Sequence, residues 1–314
     1  MRFLAEALGS VPLLTSPWRA PTQGWEDGGM ECVVAVDVGG TFMKGGLVRD
    51  GAILYAERRP TPRTEGPAAV IAAISAFVTE LAAPREGLRP TSVGLAVPGL
   101  VTPTHAVFSA AFGWRDVPAA AFTDVSLPVV LGHDVRSAGA AELAYGAARA
   151  EPDVLYLPIG TGIAGALALD GALYGGAAGW AGQIGHVPVH PDGLPCACGQ
   201  RGCLAAYASA SSIAARCGES SAEAVLSRTD EVARRVWDEA VEALALALAT
   251  ATLLLDPALV VIGGGLAQAG EALVGPLRTR LAARLAFRRP PRVEVSALGP
   301  QAGLLGAALL ATTA

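Results

Sequence analysis

Four residues with strong metal affinity crowd into one stretch, His186, Cys196, Cys198 and Cys203. Three soft sulfurs and one imidazole form a donor set suited to tetrahedral Zn2+. The set is closed, so it predicts a structural metal. That metal would clamp a loop rich in turn residues (Asp192-Gly193, Gly199, Gly202) and poor in apolar ones. The chain has five cysteines, an odd number that argues against a disulfide framework.

Three glycine clusters follow apolar runs. In Asp37-Val38-Gly39-Gly40-Thr41, with Lys44 beyond, backbone N–H groups can approach phosphate oxygens free of Cβ obstruction. Asp37 would hold Mg2+ through water, and Thr41 supplies a hydroxyl. A hairpin with a fortuitous acid fits the same residues. Gly160-Thr161-Gly162-Ile163-Ala164-Gly165 matches the dinucleotide pattern G-x-G-x-x-G. That pattern must open a helix and be followed about 20 residues later by an acid. Here a hairpin-like A-L-A-L-D-G-A-L-Y follows, and Trp180 stands where the acid belongs. A phosphate-cradling turn fits better. Gly263-Gly264-Gly265 ends a buried run and would let a nucleoside lie against the backbone, or simply let strand and helix pack tightly.

His133-Asp134 stands between a strand and a helix. A carboxylate there can accept a proton from a substrate hydroxyl, but by spacing alone the helix cap is the stronger reading.

The elements that must position these groups repeat. Cys32–Val38 is apolar and β-branched, as a buried strand should be. Gly39-Gly40 turns it into a strand over Lys44–Val48, and Asp50-Gly51 turns that into Ala52–Arg58. Residues 67–83 carry helical periodicity, with Val70, Ile71, Ile74, Phe77, Val78 and Leu81 on one face. Strands are expected over Ser92–Val97 and Pro128–Leu131. The second half restarts with Val154–Ile159, the 160–162 turn, Gly165–Leu169 and Asp170-Gly171. A helix over about 231–255, a strand over Leu259–Ile262 and a helix opened by the 263–265 glycines complete it. Two such halves facing across a cleft would set two phosphate turns opposite one another. The expected domains are 30–132, and a larger 133–301 containing the metal loop 186–203. A C-terminal helix, 302–314, packs back on the first. Residues 1–29 hold Pro, Gly and Trp without a lasting period, and read as a flexible extension or an upstream start codon.

Composition narrows the function. The 314 residues are 52% hydrophobic, enough for a large core, and carry a formal charge of -5. Neither nucleic acid nor an anionic membrane is attracted by that balance. The most apolar run, Ala243–Leu255, is closed by Glu242 and Asp256 and falls short of the roughly 20 residues a membrane span needs. Glu6 interrupts the apolar start, so no clean secretory signal is read, and a cytoplasmic protein is expected.

Together and in order, these segments resemble the ROK family of sugar kinases and regulators. The resemblance covers roughly 31–314. It runs through D-V-G-G-T, G-L-A-V-P-G at 94–99, W-R-D-V-P at 114–118 and H-D-V around Asp134. It continues through G-T-G-I at 160–163, the stretch 181–204, V-I-G-G-G at 261–265 and A-G-L-L-G-A-A at 302–308. It implies the two-domain, actin-like (ribonuclease H-like, hexokinase-type) α/β fold. It implies ATP, Mg2+ and structural Zn2+ as cofactors, with Asp134 as catalytic base. Gly39, Gly40, Thr41 and Lys44, with Gly160, Thr161 and Gly162, are implied to hold phosphates, and Gly263 to Gly265 the nucleotide. Gly99, His133, Gln183 and His186 are implied to contact the sugar, His186 while also binding zinc. The family is commonly dimeric or tetrameric, so a homo-oligomer is expected.

Three positions depart from the family glucokinases. His133 replaces a usual Asn, Gln183 a usual Glu, and Leu204-Ala205 a bulky residue followed by Glu. Each lost carboxylate partner should weaken glucose binding by roughly 1–3 kcal/mol. The implied activity is phosphorylation of the primary, 6-type hydroxyl of glucose, a related sugar or a cyclitol. A sugar-binding pseudokinase and a ROK-type regulator are the alternatives. A regulator would carry a winged helix–turn–helix before the first strand, and the segment there is too short for one.

Overall fold

The computed structural model describes residues 29–312, so the expectation for residues 1–29 lies almost wholly outside it. The first half begins with β1 (Met30–Val38), β2 (Phe42–Arg49) and β3 (Ala52–Pro60), followed by α1 (Pro67–Ala82) and β4 (Leu88–Val97). A small sheet of β5 (Leu100–Val101), β6 (His105–Ser109) and β7 (Trp114–Pro118) comes next, and then β8 (Val129–His133). Helix α2 (Asp134–Tyr145) leads into β9 (Val154–Pro158), β10 (Ala166–Leu169) and β11 (Ala172–Tyr174). Four helices follow the loop, α3 (Leu204–Ala208), α4 (Ala210–Cys217), α5 (Ala222–Leu226) and α6 (Glu231–Leu255). The chain closes with β12 (Leu259–Gly263), α7 (Glu271–Arg284), β13 (Arg292–Val295) and α8 (Ala302–Thr312).

Two five-stranded sheets share one plan, β3-β2-β1-β4-β8 and β11-β10-β9-β12-β13. In each, the first three strands are antiparallel and the last three parallel. The alternation along β1 shows why. Val34, Val36 and Val38 pack with Val70, Ile74 and Phe77 of α1, whereas Val33 and Ala35 pack with Leu304, Leu305 and Ala307 of α8. Both faces are covered, so the strand is apolar throughout. In β9, Leu155 and Leu157 face Leu244 and Leu248 of α6, while Val154 and Tyr156 face Ala138 of α2 and Ala302. Helices α2 and α8 also pack on each other, between the two sheets. Their backbones meet closely, since a Cβ on Gly306 would overlap the carbonyl of Ser137.

Strand and helix ends move by a few residues from the sequence expectation, and α6 coincides with it. Its ends are chemically marked, because Asp230 caps the N-terminus by accepting from Val232 N and Ala233 N, and Asp256 ends it in the left-handed region at φ 48°. One expectation is corrected. The 263–265 glycines do not open an α-helix. They lead into a 3-10 turn, Gly265–Ala269, and α7 starts only after Gly270. Gly264 takes φ 75°, and a Cβ there would overlap the Ile159 carbonyl, so the chain is folded down over the end of β9. Among the described residues, no helix is long and apolar enough to cross a membrane.

Candidate active site

The candidate groups come from the carboxyl ends of parallel strands, where α/β sheets commonly bind ligands. Asp37 ends β1 and His133 ends β8, while the 160–162 turn follows β9 and the 263–265 glycines follow β12. The β1–β2 turn is tied by Thr61, whose Oγ1 donates to Gly39 O at 2.8 Å and whose N donates to Thr41 O at 3.0 Å. The Asp37 carboxylate lies 3.6 Å from Lys44 Nζ, which also donates to Pro300 O at 3.2 Å. Burial raises the Asp37 pKa against the opposing pull of Lys44, and the Asp134 charge raises it further. A buried acid whose proton affinity a second acid raises is a fitting place for a divalent cation.

Gly303, in the first turn of α8, abuts the Asp37 carboxylate so closely that any Cβ would overlap it. Gly303 lies in the A-G-L-L-G-A-A segment of the resemblance, where no role is expected of it from sequence. Arg63 is a second addition, with NH1 3.9 Å from the place a Gly40 Cβ would occupy, the approach an incoming phosphate would share. Nothing in its spacing marked it.

At the start of α2 the two readings of Asp134 separate. The cap is His133, whose ring Nδ1 accepts from Arg136 N at 3.3 Å. Asp134 is the first helical residue, and its Oδ1 accepts from the adjacent Val135 N, at 2.8 Å. Its side chain keeps 25% of its exposure. Burial pushes its pKa up to about 6, with the Val135 hydrogen bond and the Arg136 charge opposing. Burial, aided by Arg136, brings His133 down to about 4, so the ring is neutral at pH 7 and its Nε2 carries the hydrogen. The far end of α2 is anchored by the fully buried Glu142, whose carboxylate accepts from Ala147 N, Leu298 N and Ser296 Oγ.

The turn Gly160-Thr161-Gly162 is braced from α4, since Ser211 Oγ donates to Thr161 O at 2.5 Å and Ala210 N to Gly160 O at 2.8 Å. A Cβ on Gly160 or Gly162 would meet nothing within 4 Å, so open space stands above the turn. Gly263 instead presses on the Tyr156 ring, at 2.6 Å from its hydroxyl for a built Cβ. Gly263 and Gly264 therefore serve packing, and of the three glycines Gly265 has only Glu223, at 3.8 Å, near its missing Cβ.

His186, Cys196, Cys198 and Cys203 converge, with one ligand atom from each lying within 4.8 Å of the others. Cys198 Sγ and Cys203 Sγ are 3.7 Å apart, and Cys196 Sγ and His186 Nδ1 are 3.8 Å apart. Bonds of about 2.0–2.3 Å from a tetrahedral zinc give ligand separations of roughly 3.5–3.8 Å, so the donors fit that ion. Nδ1 turns to the sulfurs, and Nε2 is the ring nitrogen that does not. Ala205 follows directly, half-buried on α3. On the other side, the loop before Gln183 is held by Arg136, whose NH1 donates to Gly179 O at 2.8 Å. Gly99 sits at the end of β4, at φ 118°, directly against β6.

Residues 33–314 match the ROK family. A glucokinase of Thermotoga maritima is 33% identical, over 88% of this chain and 96% of its own. An N-acetylmannosamine kinase of Escherichia coli is 33% identical, over 88% of this chain and 97% of its own. The crystal structure of a ROK family glucokinase from Streptomyces griseus, in complex with glucose and AMPPNP, superimposes with a TM-score of 0.81 at 28% identity, covering 90% of this chain and 100% of that one. The chain belongs to the ROK family. Its two mixed sheets form the actin-like, hexokinase-type α/β fold of these sugar kinases.

Proposed function

We propose that the protein is an ATP-dependent sugar kinase that phosphorylates the primary, 6-type hydroxyl of glucose or a glucose-like sugar or cyclitol. The observation that carries this reading is Asp134, a partly exposed carboxylate at the start of α2, with a pKa raised to about 6 and near enough to Asp37 to raise the pKa of that acid too. As the acceptor oxygen attacks the γ-phosphorus, Asp134 takes its proton. Backbone N–H groups of Gly39, Gly40 and Thr41, and of Gly160, Thr161 and Gly162, cradle the phosphates, with Lys44 beside them. Asp37 would hold Mg2+, whose charge neutralises phosphate oxygens. Gly265 lies against the nucleoside, while Gly99, His133, Gln183 and His186 line the acceptor side. Transfer of a phosphoryl group asks mainly for such positioning and charge stabilisation.

The base must be ionised to work. For free enzyme, kcat/KM should be level above pH 6 and fall about tenfold per pH unit below it. A profile flat down to pH 5 removes Asp134 from the role. The activity itself is tested by ADP release with purified protein, Mg2+, ATP and a panel of hexoses, amino sugars and cyclitols, with 31P NMR locating the product phosphate. Sugar binding with no ADP formed from any acceptor would instead support a pseudokinase.

A further inference from the structure

One cation stands over the first glycine turn without a partner. Arg63 is exposed, and its guanidinium forms no hydrogen bond, ion pair or ring contact among the described residues. Its backbone is nonetheless held to the turn. Thr61 ties Gly39 O and Thr41 O, and Arg63 N donates to Thr61 O at 2.8 Å. One terminal nitrogen of Arg63 lies 3.9 Å from the position of a Gly40 Cβ. Apart from the adjoining residues, no other described atom comes within 4 Å of that position. The other charge at the turn is already committed, since Lys44 Nζ lies on Asp37 and donates to Pro300 O. Glu65, two residues beyond Arg63, forms no ion pair with it.

The turn beside Arg63 belongs to the sheet that carries the base. Strand β1 pairs with β4 and β4 with β8, all parallel, with Asp37 beside Ala96 and Ala96 beside Gly132. Asp37 and Gly132 therefore stand two strand spacings apart, roughly 10 Å, and Asp134 leaves the same edge. The 160–162 turn lies on the second sheet, between β9 and β10. A Cβ on Gly160 or Gly162 meets nothing within 4 Å, so neither glycine has a described side chain over it as Gly40 has Arg63. Of two phosphates held by the two turns, the one on 39–41 is the one on Asp134's own sheet. In the kinase reading that is the group to be transferred. A guanidinium presents paired N–H donors that match two of its oxygens at once.

Resting on the kinase reading of the same site, we propose that Arg63 is a catalytic residue, whose guanidinium binds the γ-phosphoryl group over Gly40 as it passes to the acceptor. The acceptor oxygen bonds the phosphorus, and the bond to the ADP oxygen breaks, its electron pair leaving on ADP. The acceptor proton goes to Asp134. Charge is spread over the oxygens of the moving group, and the guanidinium offsets it there. Arg63→Met should lower kcat about 100-fold and leave the acceptor KM unchanged. By titration calorimetry with Mg2+, it should weaken ATP binding about tenfold or more and leave ADP, which has no γ-phosphate, within about twofold. Arg63→Lys keeps the charge without the fork and should restore part of both losses. Both variants should melt as the wild type does, the side chain being exposed. An Arg63→Met variant with wild-type kcat overturns the inference and leaves the kinase reading standing. Equal weakening of ATP and ADP overturns it as well, because that marks only a general attraction for anions. If ATP binds and no acceptor is phosphorylated, the kinase reading fails, and the comparison of ATP with ADP still decides whether Arg63 holds the γ-phosphate. A wild-type protein that binds neither nucleotide overturns both.

Discussion

Asp134→Asn should lower turnover by about 10³-fold or more and, in the same protein, raise the melting temperature. The loss follows from removing the one carboxylate in the first turn of α2. An amide keeps the shape and can still accept the Val135 N–H bond at 2.8 Å, so the helix start is preserved. The gain in stability follows from the pKa. Folding raises Asp134 from 3.8 to about 6, which means the folded state disfavours its charge. Above pH 6 the whole of that cost is present. It shrinks as pH falls from 6 towards 3.8, and below that it is gone. Two pKa units correspond to about 3 kcal/mol, and the exposed quarter of the side chain reduces this to roughly 1–2 kcal/mol. At pH 7.5 the variant should therefore melt a few degrees higher, with the difference vanishing near pH 4. An inactive variant that melts lower at pH 7.5 would show that Asp134 supports the fold, and its loss of turnover would then say nothing of a base.

Loss of the metal should be the largest structural effect. The loop from His186 to Cys203 is joined by short bridges (Pro188 with Cys203, Pro195 with Arg201) and by Cys196 N donating to Gln200 O at 2.8 Å. Its buried apolar anchors are few, chiefly Val189 and Leu204. Without a central ion, three sulfurs and an imidazole within 4.8 Å have little reason to stay together. Elemental analysis should give one zinc per chain. Cys198→Ser, at an exposed position, should lose it, lower the melting temperature by several degrees and raise the acceptor KM tenfold or more. The KM effect would arise because a metal on Nδ1 of His186 fixes where Nε2 points. The ATP KM should change little, since the phosphate turns lie on other elements. A metal-free protein with unchanged melting and unchanged acceptor KM would remove zinc from both roles.

Much of this protein is written in short stretches of sequence. Strand periodicity and the Asp-Gly turns each depend on neighbours a few residues away, so the repeated strand–turn–strand succession and the limits of α6 could be read directly. The metal donors were legible for the same reason, being clustered within one loop. What packing alone decided lies between residues far apart in the chain. His133 rather than Asp134 caps α2, because the chain is still extended at His133 (φ -75°, ψ 127°) and turns helical at Asp134. Gly263 and Gly264 proved to be packing glycines once Tyr156 and Ile159 were seen beneath them. Gly303 reaches Asp37 only because α8 returns from the end of the chain to cover the first sheet. Arg136 meets Gly179 across 43 positions for a similar reason. Periodicity records which face of an element is buried and is silent on what it is buried against. The sequence by itself determined the elements, the glycine turns and the donor set. The tertiary structure decided which of these groups share the cleft, because their proximity is set by how α2 and α8 pack between the sheets.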